Sequence, residues 1–261
     1  MGRLAQTLGP TNKRPLMPKN INSASRLIKV LEQAHIHADN TQSLEAWAAI
    51  FKVTETHPFK RAIAVGEIIH AMHRELDFAA SGLAKKDFST GLYEQAFSRI
   101  GNALSPMLLP SQWNSVKQYL TPDTLVALAF CAEILPNEES EISIEEIETI
   151  KGKLEDLRAT LSNEALPIRL RTLIVHHIEL IEQALAEYPI AGAKAFREAG
   201  RTALGEMIEA KDDISVVKGD PAVSALGSLW DSVNKATDYA LKGDGLVQIG
   251  QRAWEAIGGL F

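Results

Sequence analysis

Apolar residues recur at steps of three and four along most of the chain, which is the spacing of amphipathic helices. The pattern is most regular in residues 144–208, which we interpret as three consecutive helices. Ser143 and Glu146 have the spacing of a capping box, so the first helix should begin there. Its apolar seam is typical of helices packed nearly parallel, and consists of Ile147, Ile150, Leu154, Leu157 and Leu161.

The second helix of this stretch should begin at Pro167 and end near Tyr188. A residue that precedes proline disfavours the α conformation, so Pro189 is expected to end this helix and start the third. The apolar seam of the second helix is Leu170, Ile174, Ile178, Ile181, Leu185 and Tyr188. The apolar stripe of the third is Ala193, Phe196, Gly200, Ala203 and Met207.

Residues 23–135 have the same helical periodicity and form a predicted N-terminal helical domain. Pro58 begins a long helix that should reach Ala84. The segment from Leu125 to Leu135 is apolar almost all round, so we expect that helix to be buried. Residues 136–142 are polar and acidic and predict a boundary between this domain and the central helical bundle, 143–210.

The two ends of the chain differ from its centre. Residues 1–22 contain three prolines, several basic residues and no acid, which predicts a disordered basic arm. Residues 221–261 predict an apolar C-terminal tail of two helices, separated at Gly243-Asp244-Gly245. Its candidate interaction residues are Leu226, Leu229, Trp230, Val233, Leu241, Leu246, Ile249, Trp254, Ile257, Leu260 and Phe261.

These patterns predict an all-α protein, a multi-helix bundle of about nine to eleven helices with a C-terminal amphipathic helical hairpin. The 261 residues are 46% hydrophobic and only 6% aromatic, which fits a core of aliphatic side chains. The net charge of −6 disfavours nucleic-acid binding, except for weak contacts of the basic arm. The single cysteine and the lack of an apolar leader favour a cytoplasmic protein.

Few residues indicate reactive chemistry. Glu67 and His70 have the spacing of half a di-iron carboxylate site, and His70 with His73 could bind zinc. Glu67, however, projects away from the apolar arc of its helix, and no cluster of cysteines or histidines supplies further ligands. We therefore expect no resident metal, no cofactor and no enzyme activity.

Three further features have simple structural interpretations. His176 and His177 lie about 100° apart on a helix, so we interpret them as independent surface residues. Cys131, in the apolar helix, should be a buried and unreactive thiol. Two acidic pairs are accounted for by their positions: Glu138 and Glu139 lie in a linker, and Glu145 and Glu146 lie at a helix start, where the dipole favours them.

The leading hypothesis is a non-enzymatic regulatory protein that binds other proteins, and itself as a homo-oligomer, through its coiled-coil-like seams and apolar tail. An alternative is a membrane-active, toxin-like or pore-forming effector that uses residues 221–261. A metal-dependent helical enzyme built on Glu67, His70 and His73 is the second alternative.

Overall fold

In a computed structural model, the described residues, 19–86, 89–163, 166–217 and 219–241, fold into helices joined by turns and loops. Within these ranges there are eleven α-helices, two short 3₁₀ turns and no strand, which confirms the all-α prediction. The helices are α1 Ser23–Ile36, α2 Ser43–Phe51, α3 Pro58–Ala84, α4 Glu94–Ala103, α5 Asn114–Lys117, α6 Pro122–Ile134, α7 Ile144–Asn163, α8 Ile168–Ala191, α9 Ala193–Glu209, α10 Lys211–Val216 and α11 Pro221–Ala240.

Helices α1 to α6 surround a first hydrophobic core. Helix α1 lies against α6 and α3, and α4 lies against α6. Trp47 and Trp113 are at most 1% exposed, and their rings meet edge to face with centroids 5.0 Å apart. The Trp113 indole donates a hydrogen bond to the Ala34 carbonyl, 3.2 Å away, so the buried polar atom of this ring is satisfied.

Helices α7, α8, α9 and α11 surround a second core. Helix α11 packs mainly on α7 and α9, and α8 packs on α9. Helices α7 and α11 are antiparallel, because the Ser140 amide donates to the Ala240 carbonyl at 2.8 Å and Lys153 contacts Ser228. Helix α11, the first half of the predicted C-terminal tail, is therefore part of the second core.

The start of α7 agrees with the capping box expected at Ser143 and Glu146. The Ser143 amide and hydroxyl both donate to Glu146 Oε2, and the Glu146 amide donates to the Ser143 hydroxyl. These bonds satisfy amide groups that have no partner within the helix. The local sequence alone therefore determines where α7 begins.

The predicted break at Pro189 is wrong, because α8 continues through Pro189 to Ala191. The chain turns instead at Gly192, whose φ of +65° and ψ of −153° suit glycine. A Cβ on Gly192 would lie 1.8 Å from Glu139 Oε1. Proline weakens a helix by one hydrogen bond, whereas the backbone at Gly192 leaves the helical region altogether.

The expectation that the apolar helix α6 would be buried is also wrong for one of its faces. Leu125, Leu128 and Cys131 are at most 5% exposed, but Val126 and Phe130 are 55% and 56% exposed. Apolar composition therefore overstated how much of α6 the surrounding helices cover.

One further segment differs from the expectation that its sequence gives. The polar stretch 211–220, whose composition predicts a linker, contains the short helix α10, and Ile214 lies buried in the second core. None of the helices within the described residues has the length and hydropathy required to cross a bilayer.

Candidate interaction surface and buried polar networks

Five charged side chains meet between the two cores and form what we call the junction cluster: Arg26, Glu75, Glu138, Glu139 and Lys194. They come from α1, α3, the 136–142 segment and α9, so the cluster spans both halves of the molecule. Arg26 is at its centre, with a side chain only 5% exposed.

Every nitrogen of the Arg26 guanidinium has an acceptor. Nη2 lies 2.5 Å from Glu75 Oε2 and 2.9 Å from Glu138 Oε2, and Nη1 lies 2.7 Å from Glu139 Oε1. Nε donates to the Ile190 carbonyl at 2.9 Å. Since Ile190 belongs to α8, this one side chain fastens α1 to α3, to the connecting segment and to α8.

Lys194 closes the other side of the cluster. Its Nζ lies 3.2 Å from Glu75 Oε1 and 3.0 Å from Glu138 Oε2. The Glu139 Oε2 atom accepts a hydrogen bond from the Ala193 amide, 2.8 Å away, in the first turn of α9. A carboxylate at that position also interacts favourably with the positive end of the helix dipole.

Burial and the neighbouring charges shift the pKa values of three members of the junction cluster, in directions that differ from one residue to the next. Burial raises the pKa of Glu139, although Arg26 and the Ala193 amide oppose the shift. Burial would also raise the pKa of Glu138, but Lys194 and Arg26 together hold it below its usual value. Burial works against ionisation of Arg26, yet Glu75, Glu139 and Glu138 outweigh it and raise its pKa.

The interpretation of Glu138 and Glu139 as simple linker acids was therefore incomplete. Glu139 meets the N-terminus of α9, which a linker position does not predict, and it also shares the buried guanidinium of Arg26 with Glu75. The junction cluster connects the two cores. Its two cations, Arg26 and Lys194, are already paired with carboxylates of the same chain.

A second buried network connects α8, α9 and α11. The indole Nε1 of Trp230 donates to His177 Nδ1 at 3.1 Å, and His177 Nε2 lies 3.1 Å from Glu206 Oε2. Because an indole nitrogen can only donate, His177 Nδ1 is the acceptor and its proton lies on Nε2. Burial, and to a lesser degree His176, lowers the pKa of His177 to about 4.

This network corrects the interpretation of His176 and His177 as independent surface residues. His177 is fully buried, and His176 Nε2 lies 3.2 Å from Glu206 Oε1, the other oxygen of the same carboxylate. The two rings point to different sides of α8. The Glu206 side chain on α9 nevertheless contacts both of them, through one carboxylate oxygen each. His177 Nε2 carries a proton, and Nδ1 accepts the hydrogen bond from Trp230. Neither nitrogen therefore has a free lone pair with which to bind a metal ion.

The metal-site candidates of the sequence analysis do not converge. Glu67 and His70 lie on the exposed side of α3, whereas the half-buried His73 contacts the Leu104 carbonyl through Nε2 at 3.2 Å. Among the residues that the structure describes, no group of three or more His, Cys, Asp or Glu side chains could hold a metal ion.

Cys131 is 1% exposed in the first core, where burial raises the pKa of its thiol to about 11. Almost none of this thiol is ionised near neutral pH, so it is a poor nucleophile.

The candidate interaction residues of the predicted tail fall into two groups. Those in α11 and at Leu241 are at most 5% exposed and belong to the second core, namely Leu226, Leu229, Trp230, Val233 and Leu241. The remainder lie outside the described residues, namely Leu246, Ile249, Trp254, Ile257, Leu260 and Phe261. The described part of the tail is thus occupied by contacts within the chain.

The side of α3 that faces away from the first core carries an apolar pair that the sequence analysis did not identify. Phe59 is 70% exposed and Ile63, one turn later, is 46% exposed. Glu67 and His70 continue the same side of the helix and are also exposed. We call these four residues the α3 outer face. Their helical spacing, opposite the buried arc, was readable from the sequence.

No protein-family model matches the chain, and no curated protein or solved structure is significantly similar to it.

Proposed function

We propose that this protein is a non-enzymatic interaction protein that binds a helix of another protein, or of a second copy of itself, through the α3 outer face. The observation that carries the proposal is the exposed apolar pair, Phe59 and Ile63, on adjacent turns of the longest helix. The opposite arc of α3 is anchored in the first core by Val65, Ile69 and Met72, each at most 1% exposed.

The chemistry of the α3 outer face suits recognition of an amphipathic helix. Single exposed apolar residues are normal on protein surfaces, but two large ones at i and i+4 provide adjacent anchors for a partner. Glu67 and His70 lie beside them and supply the polar rim that typically surrounds an apolar interface centre. Buried residues from Val65 to Leu83 hold α3 against its neighbours, so the helix that carries this surface is preorganised for binding.

The buried polar networks support a non-enzymatic role. The junction cluster and the network of His177 use their charged and polar groups to connect helices of the same chain. An active site instead needs reactive groups that converge on space open to a substrate. The ionisable clusters found in the described ranges are engaged in helix-to-helix contacts.

The experiment compares the wild-type chain with the double variant F59S/I63S. Losing two apolar anchors should weaken self-association or partner capture by at least roughly tenfold, since each buried side chain of this size contributes about 1.5–3 kcal/mol. Sedimentation equilibrium over a range of concentrations measures self-association, and a pull-down with the immobilised full chain measures partner capture. Circular dichroism checks that the helices are retained.

The matched control is L92S/M107S, which removes two exposed apolar side chains, 62% and 83% exposed, from the 3₁₀ turns of the same core. This variant should associate like the wild type. Equal weakening by both double variants contradicts the proposal. The proposal is also contradicted by a second pair of results: the wild type is monomeric, and F59S/I63S captures the same proteins as the wild type equally well.

A further inference from the structure

The α3 outer face has the residue spacing of one half of a helix pair. Phe59, Ile63, Gly66 and His70 follow one another at steps of four, three and four, on the side of α3 opposite its buried arc. Alternating steps of three and four are typical of a seam along which two helices pack lengthwise. Gly66 leaves space in this seam, because no atom of the described residues lies within 4 Å of the position that a Cβ would take.

One flank of the seam carries two charges of opposite sign. Lys60 and Glu67 are seven residues apart, which is two helical turns, so both lie on the same flank of α3. Their positions are about 10 Å apart along the helix axis, too far for the two side chains to pair comfortably with each other. Both are exposed, and neither forms an ion pair within the ranges that the structure describes.

An antiparallel copy of the same helix would pair both charges. When two identical helices pack antiparallel about a two-fold axis, each flank meets the same flank of the other helix, so the contacts occur twice. With the axis between positions 63 and 64, Lys60 of each copy lies level with Glu67 of the other. In a parallel pair the charged flank would instead meet the opposite flank, where Ala62 lies.

We propose that the partner of the α3 outer face is α3 of a second copy of this chain, packed antiparallel. The register that aligns Lys60 with Glu67 also brings the two Ile63 side chains together at the axis. It places Phe59 over Gly66 of the second copy, where the absence of a side chain makes room for the ring. This inference rests on the proposed function, because it names the partner of the same face.

The other charges near the seam do not oppose this register. Because α3 begins at residue 58, the two copies overlap over residues 58–69, and Arg74 and Asp77 lie beyond the overlap. Arg74 is in any case paired with carboxylates of α8 and α9. Hydrogen bonds from backbone amides lower the pKa of Glu55, and the charge of Lys60 adds less to that shift, so Lys60 is not committed to this acid.

Exchange of the two charges tests the register in the full-length chain. K60E and E67K should each weaken self-association at least about fivefold, because each replaces two attractions of the dimer by two repulsions. The double variant K60E/E67K restores both attractions and should associate like the wild type. An equimolar mixture of K60E and E67K should also associate, since the acidic flank of one chain then meets the basic flank of the other.

The overlap extends only about 18 Å along the helix, so the dimer should be weak, and sedimentation equilibrium is measured over a wide range of concentrations. The matched control is K29E, which makes the same change of charge at an exposed position of α1 and should associate like the wild type. Circular dichroism checks that each variant keeps its helices.

Failure of this inference can be told apart from failure of the proposed function. A wild type that is monomeric at every concentration overturns the inference, while the pull-down with F59S/I63S still decides whether the face binds another protein. Self-association that F59S/I63S weakens but that K60E and E67K leave unchanged overturns the antiparallel register. Self-association that F59S/I63S does not weaken overturns both.

Discussion

At the scale of single residues, His177 shows how one buried side chain connects three helices. It accepts a hydrogen bond from Trp230 and contacts Glu206, while His176 meets the same carboxylate. Protonation of His177 would put a hydrogen on Nδ1. That N–H would then face the indole N–H of Trp230, so two donors would oppose each other. Burial and this opposition of two donors both disfavour the charged ring, in agreement with a pKa lowered to about 4.

This lowered pKa predicts a specific loss of stability in acid. The unfolded chain takes up a proton on this histidine near the ordinary pKa of 6.5, whereas the folded chain resists protonation until about pH 4. The contribution is therefore fully present above pH 6.5 and is lost as the pH falls towards 4, by up to about 3 kcal/mol. Urea unfolding followed at several pH values measures it.

The variant H177Q is the appropriate comparison, because glutamine can accept from Trp230 and donate to Glu206 but does not titrate. Between pH 6.5 and 4 the wild type should lose more stability than H177Q. The exposed neighbour gives the control H176Q, which should keep the acid sensitivity of the wild type. Parallel pH profiles for the wild type and H177Q would refute the argument.

At the scale of elements, the helix boundaries follow from local chemistry only where the decisive contact is local. The bounds of α3 agree with the prediction because proline starts the helix and a continuous apolar arc maintains it. The boundary between α8 and α9 does not, because it depends on Gly192 and on Glu139, a residue more than fifty positions earlier. Likewise, the exposure of Val126 depends on which helices pack against α6, and the sequence of α6 does not contain that information.

Gly192 gives a prediction at this scale. The variant G192A places a Cβ against the Glu139 carboxylate and forces alanine into a positive-φ conformation, so it should destabilise the fold by more than about 2 kcal/mol. At Gly205 in α9 an added Cβ would meet no atom within 4 Å, and G205A should stabilise the protein by about 0.5–1 kcal/mol. Thermal unfolding of both variants measures the contrast, and equal effects would disprove the role of Gly192.

At the scale of the whole molecule, the junction cluster is the feature that the sequence was least able to reveal. Arg26 and Glu139 are far apart in the chain, and no periodicity or spacing indicates that they meet. The sequence predicts that residues 136–142 connect two helical units, and this division stays a prediction. The structure adds that this connection carries two of the carboxylates that fasten those units together.

Removing the central cation should therefore be costly. R26M leaves Glu75 and Glu139 buried without their guanidinium partner, which should destabilise the protein by about 3–5 kcal/mol. Neutralising both acids as well, in R26M/E75Q/E139Q, should recover part of this loss. Denaturant unfolding measures each step, and a smaller cost in R26M than in the triple variant would contradict the assignment.

The control for the junction cluster is R61A, which breaks an ion pair between Arg61 and Glu45 whose side chains are 25% and 45% exposed. Solvent screens such a pair, so its loss should cost no more than about 1 kcal/mol. The difference between R26M and R61A separates the effect of a buried tie from that of a surface charge.

The antiparallel pairing of α7 with α11 also bears on how the protein is made. Three helices are synthesised between them, so α7 leaves the ribosome long before its main packing partner exists. The N-terminal core can assemble during translation, whereas the apolar seam of α7 must wait for α11, its main partner among the described helices. Prematurely terminated chains that lack α11 would leave Ile150, Leu154 and Leu157 exposed, and are the forms that quality-control proteases and chaperones would encounter.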